Sequence, residues 1–192
     1  MLDISKNGIE LIKKFEGCRL KAYRCPSGIL TIGYGHTMGV TEDMTITQGV
    51  ADTLLLEDLH NFVNKVNLLL IEHNFVVNQN QFDALISFAF NCGTGALSTC
   101  LSQVHNIYDL PTRMILYNKS NGKVLAGLEK RRKAEIDLFN NLAEYLPHDK
   151  LTIQCQFAFY GDIIDGYYIM DCGRGLVAKL PVEYVDNGFN ML

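Results

Sequence analysis

The chain has 192 residues, 48% of them hydrophobic and 20% charged, a composition of an ordinary globular protein long enough for one well-buried core. A formal net charge of −4 speaks against a nucleic-acid binder, and no apolar run approaches the ~20 residues that span a bilayer, so neither a nucleic-acid partner nor membrane insertion is expected. Met1 to Lys6 shows no basic stretch leading into an apolar one, so no signal peptide is expected either.

In chain order, Ser5 is placed to cap a first helix whose apolar stripe is Ile9, Ile12 and Phe15 and whose stop is Gly17. Residues 20–36 carry β-formers around Pro26-Ser27-Gly28 and read as a short hairpin. Thr47 caps a long helix to about Leu70, with Val50, Leu54, Leu55, Leu59, Phe62, Val63 and Val66 turned inward. Asn78 starts a further apolar helix that ends at Asn91-Cys92-Gly93. Shorter helices are expected at 97–106 and 110–118. After breaks at Gly122 and Gly127, a last helix runs from about Leu128 to Tyr145, where Pro147 stops it.

Beyond Pro147 the texture changes to Tyr, Phe, Ile and Val between Gly-Asp and Asp-Gly turns, predicting three to five short strands. The expected architecture is α+β: a helical body with a small hairpin over residues 1–146, then a small β module over 147–192. About 45 residues is short for an independent domain. Residues 166–178 and 181–185 resemble, in texture, a truncated SH3-like cell-wall-binding module, and a β extension packed on the body fits equally.

Six cysteines, at positions 18, 25, 92, 100, 155 and 172, form no CxxC pair and no Cys/His group with zinc spacing. Reduced thiols are expected, with Cys92 and Cys100 as small core residues. Neither a metal nor an organic cofactor is implied, because a phosphate-binding loop is missing as well.

Glu16 stands at the end of the first helix beside Phe15. A carboxyl at such a helix-to-hairpin junction can be partly desolvated and so suited to donating a proton. Cleavage of a glycosidic bond needs such a donor, together with a group that presents water or a nucleophile on the opposite face of the sugar. Eight residues separate Glu16 from Cys25, and five separate Cys25 from Thr31, which leads into Ile32-Gly33-Tyr34-Gly35-His36. This segment resembles the active-site stretch of the phage-type lysozyme family, which runs Glu, eight residues, Asp or Cys, five residues, Thr. Gln81 to Gly93 is similar to the helix before the family's substrate-side turn, and Gly127 to Glu135 followed by Leu138-Phe139 is similar to its last helix.

The resemblance implies a muramidase of the endolysin kind, acting on the β-1,4 bond between N-acetylmuramic acid and N-acetylglucosamine in bacterial peptidoglycan as a monomer. Glu16 would protonate the glycosidic oxygen and Thr31 would hold water by its hydroxyl. Cys25 takes the position where many members have Asp, and its role is left open between weak base, thiolate and bystander. Tyr34 and Asn91 are candidate sugar contacts. Arg131 or Arg132, in the run Lys130 to Lys133, could bind a stem-peptide carboxylate bidentately, although such a run on a helix is more often just a solvated face. His36 and Asp58 are expected to pair, tying hairpin to long helix. Such an enzyme would be made in the bacterial cytoplasm and reach the wall by release. Two rival functions share these features: a chitin- or chitosan-cleaving hydrolase on the same fold, and a non-catalytic wall-binding protein.

Overall fold

In the computed structural model, residues 1–120, 122–141, 163–164, 167–171 and 177–181 are described. Helix α1 covers Lys6–Glu16: the Ser5 side chain accepts from the Asn7 N–H at its start, and Gly17, at φ 67°, ends it. Its N-terminus is seated on Asp83, a fully buried carboxylate that accepts from the Ser5 N–H at 2.9 Å, from the Ser5 hydroxyl, and from Gln79 Nε2 at 2.9 Å. Gly8 makes this seat possible, because a Cβ there would lie 2.8 Å from Ile4 and 2.9 Å from Asp83.

Strands β1 (Arg19–Arg24) and β2 (Leu30–Gly33) pair antiparallel with Tyr23 opposite Thr31 and Arg24 opposite Leu30; the register shifts between Arg19 and Tyr23. Helix α2 (Gln48–Glu72) starts at Thr47, whose hydroxyl accepts from the Val50 N–H, and buries Leu55, Leu59, Val63, Val66 and Leu70. Val50 departs from the expected inward stripe and is 44% exposed; the first turn presents its neighbour Ala51 to the core instead.

Helix α3 (Gln79–Cys92) is the axis of the body. A capping box between Asn78 and Gln81 opens it, and nine consecutive residues, Gln81 to Ala89, are buried. A helix covered on all sides needs neighbours all round, and α3 meets α1, α2, α4 (Thr94–Ser102) and α6 (Ala126–Asn140). Each large apolar side chain it buries, such as Phe82, Leu85 and Phe88, contributes roughly 1.5–3 kcal/mol. Between α4 and α6 the chain makes a 3-10 turn at Ile107–Asp109, the single-turn helix α5 (Pro111–Met114), and a two-rung ladder of β3 (Lys119–Ser120) with β4 (Lys123–Val124) where a break is expected at Gly122.

The last helix ends at Asn140, short of the expected Tyr145. Asn141 already has ψ 91°, and its N–H caps the Asp137 and Leu138 carbonyls. Pro147 lies outside the described residues. Farther on, β5 (Ile163–Ile164), β6 (Tyr167–Asp171) and β7 (Val177–Pro181) form an antiparallel sheet in the order β5-β6-β7, with Ile169 opposite Lys179. These three strands fall where three to five are expected. Whether the module is SH3-like turns largely on residues outside those described. No described helix is long and apolar enough to cross a membrane.

Candidate active site

Glu16 is the last residue of α1, its side chain 23% exposed. Arg131 Nη1 of α6 donates to its Oε1 at 2.6 Å. That guanidinium uses its other edges inward: Nε donates to Glu135 Oε1 at 3.1 Å and Nη2 to the Ser87 carbonyl at 3.2 Å. Its plane also lies 5.6 Å from the Phe15 ring centroid. The candidate proton donor is therefore braced from beneath by a buried cation.

Arg132 is fully buried. It donates from Nη2 to Glu135 Oε1 at 2.9 Å and to Asn91 Oδ1 at 2.9 Å, and from Nη1 to Cys92 Sγ at 2.6 Å and the Tyr117 carbonyl at 3.3 Å. These placements correct the expectation that Arg131 or Arg132 reaches outward to a stem-peptide carboxylate. Both guanidiniums are consumed by internal partners, and only Lys130 and Lys133 of the basic run face solvent. Glu135, the counter-ion of both, is fully buried; burial pushes its carboxyl up, while Arg132, the Ser87 hydroxyl and Arg131 pull it down. Its place was visible in the sequence as the i+3 and i+4 neighbour of two arginines, yet it was not singled out.

The hairpin presents the second half. Thr31, 4% exposed, donates its hydroxyl proton to the Ile29 carbonyl at 3.0 Å, which leaves its oxygen lone pairs as acceptors. Cys25 closes the hairpin turn, its N–H donating to the Ile29 carbonyl at 2.9 Å and its own carbonyl accepting from Gly28. Hydrogen bonds from the Ser27 and Ile29 backbone hold the Cys25 thiol below its usual value. Tyr23 of β1 lies opposite Thr31 on β2, so Cys25 and Thr31 are carried on the same short hairpin.

Two polar clusters fasten hairpin to body. His36 Nδ1 lies 3.0 Å from each carboxylate oxygen of Asp58 on α2, and its Nε2 lies 2.8 Å from the Met38 carbonyl. The second cluster was not anticipated: Gln48 Nε2 donates to the Tyr34 hydroxyl and to Asp52 Oδ1, both at 2.9 Å, and Lys13 Nζ of α1 sits 3.0 Å from Asp52. Asp52 raises the Lys13 ammonium, and Lys13 in turn lowers the Asp52 carboxyl. Tyr34 is 8% exposed, with burial raising its phenol, so its ring packs in this joint rather than forming the exposed sugar contact expected of it. Asn91 is exposed at the end of α3, with its carbonyl oxygen held by Arg132 and its amide nitrogen the group that remains for a ligand. Tyr117 stacks edge-on against Phe88, with centroids 5.3 Å apart.

The described cysteines, Cys18, Cys25, Cys92 and Cys100, stand as thiols. Among the described residues, no three His, Cys, Asp or Glu side chains gather as they would around a metal ion.

The family model described as phage lysozyme matches residues 13–135. The endolysin of Bacillus phage B103 is 44% identical over 145 residues, covering 72% of this chain and 54% of that protein. The endolysin of Lactococcus phage c2 is 40% identical over 141 residues, covering 72% and 61%. The chain thus spans little more than half the length of these two relatives. Among solved structures, the muramidase domain of SpmX from Asticaccaulis excentricus superposes with a TM-score of 0.67 at 40% identity, covering 73% of this chain and 99% of that one. With that match running from α1 into α6, the chain belongs to the phage lysozyme family.

Proposed function

We propose that the chain is a muramidase that hydrolyses the β-1,4 bond between N-acetylmuramic acid and N-acetylglucosamine in bacterial peptidoglycan. The observation that carries this reading is the site itself: a partly exposed Glu16, braced by Arg131, stands at the foot of a hairpin that carries the Thr31–Cys25 pair. In the proposed reaction Glu16 gives its proton to the bridging oxygen as that oxygen leaves the anomeric carbon. Thr31, its own proton engaged by the Ile29 carbonyl, accepts a hydrogen bond from a water molecule and turns the water's oxygen toward the opposite face of the sugar. The water forms the new bond to the anomeric carbon and sheds a proton. Thr31 cannot keep that proton, whereas the Cys25 thiolate, favoured by its backbone donors, can take it.

The relatives named as endolysins and the structure named as a muramidase domain support peptidoglycan as the substrate. The test is mass spectrometry of the products that purified sacculi release. Wild type should release muropeptides cut at the muramic acid and Glu16→Gln should release them about 10²–10⁴-fold more slowly. Release of the same products by Glu16→Gln at the wild-type rate would remove Glu16 from the mechanism. The anomer formed first, read by NMR, should be inverted. Retention would instead make Cys25 a nucleophile.

A further inference from the structure

Resting on the reading of Glu16 as the acid, we infer that Glu135 is a positioning residue for that donor and acts on it through Arg131. The arrangement is a line of alternating charge that runs from the partly exposed Glu16 inward through Arg131 and Glu135 to Arg132. Glu135 Oε1 receives Arg131 Nε at 3.1 Å, Ser87 Oγ at 2.8 Å and Arg132 Nη2 at 2.9 Å, and its Oε2 lies 2.7 Å from Arg132 Nε. Arg131 is 4% exposed and its two partners on α6 are fully covered, so solvent screens little between them.

A general acid has to carry a proton at the moment of reaction, and a bare cation 2.6 Å away favours the ionised form instead. Glu135 counters this in two ways. It occupies the Nε edge of Arg131, which fixes the plane of the guanidinium and hence where Nη1 meets Glu16. It also offsets the Arg131 charge. The titratable and charged groups that face this line are few. From α1 there is Glu16; Lys13 is turned to Asp52. From α3 there is Cys92 on Arg132, and Asp83 is turned to Ser5. From α5, Arg113 acts on Cys100. Arg131 and Arg132 are on α6 itself.

The sign of the effect follows. Replacing Glu135 with Gln leaves two guanidiniums and one carboxylate, Glu16. Its ionised form is then favoured, a smaller fraction carries the proton at a given pH, and the alkaline limb of the activity profile moves to lower pH. The experiment measures lysis of purified sacculi across pH for the full chain and for Glu16→Gln, Glu135→Gln, Glu135→Asp and Ser87→Ala, with a thermal melt of each. Glu135→Gln should lose about tenfold at neutral pH, with its alkaline limb displaced by roughly one pH unit toward acid. Glu135→Asp should restore the limb, and Ser87→Ala, which withdraws one donor from Glu135, should shift it the same way by less. An unmoved limb in Glu135→Gln, with activity tracking only the folded fraction, would overturn the inference. Should that variant not fold, an unmoved limb in Ser87→Ala does the same. Equal activity in wild type and Glu16→Gln would sink the acid assignment and this inference together, whereas an inactive Glu16→Gln with unmoved limbs sinks this inference alone.

Discussion

The α3–α6 seam and the β1–β2 hairpin supply opposite halves of the proposed reaction and are built by opposite means. The seam holds its charges in the interior, where Arg131, Arg132, Glu135 and Ser87 satisfy one another. The hairpin is one-sided: along β1 every residue is exposed or half-buried, whereas β2 buries Thr31, Ile32 and Gly33. It is held to the body by polar joints, His36 to Asp58 and Tyr34 through Gln48 and Asp52 to Lys13. The contrast teaches that the proposed donor takes its bearing from a buried brace behind it, while the proposed water side is carried on a two-stranded lobe tied to the body by polar joints.

The strongest way to break this contrast is to remove the donor. Glu16→Gln should cut sacculus lysis by about 10²–10⁴-fold with the fold intact, whereas Cys25→Ser on the lobe should keep measurable activity. Equal losses from the two would erase the asymmetry. Next comes the body's packing. Phe82→Ala, at a fully buried position on α3, should cost about 3–5 kcal/mol in denaturant unfolding, more than truncation of the half-buried Tyr23 on β1. At the joint, Asp58→Ala should cost about 1.5 kcal/mol, the low end for a charged hydrogen bond because Asp58 is 32% exposed, and its larger effect should be faster proteolysis within residues 19–46. Asn78→Ala, which removes the capping box of α3, should cost about 1 kcal/mol and leave lysis per folded molecule unchanged. The subtlest test separates two thiols. Cys25 is lowered by its backbone donors and Cys92 is raised by burial, so alkylation of Cys25 should set in at lower pH than that of Cys92, followed by peptide mapping. The reverse order would remove the thiolate from the water side.

Helix starts were legible because capping is local chemistry: Ser5, Thr47 and Asn78 each act within three residues of themselves. The triad spacing was legible too, since Glu16, Cys25 and Thr31 fall on one helix-to-hairpin unit. What misled was charge. Lys130 to Lys133 read outward because a basic run is usually solvated, and nothing local shows that Ser87 and Glu16, far away in sequence, wait for Arg131. Tyr34 was misplaced for the same reason: the partners that bury it, Gln48 and Lys13, come from other elements. The end of α6 was overrun because apolar periodicity continues past Asn140, where the backbone itself turns away.

Helix α1 is fastened at both ends, at its start by Asp83 pressing on Gly8 and Ser5, and at its finish by Arg131. A rod clamped twice can neither slide along its axis nor spin about it without tearing one clamp loose. Changes in the hairpin's length or sequence therefore leave the Glu16 carboxylate at a constant address against α3 and α6.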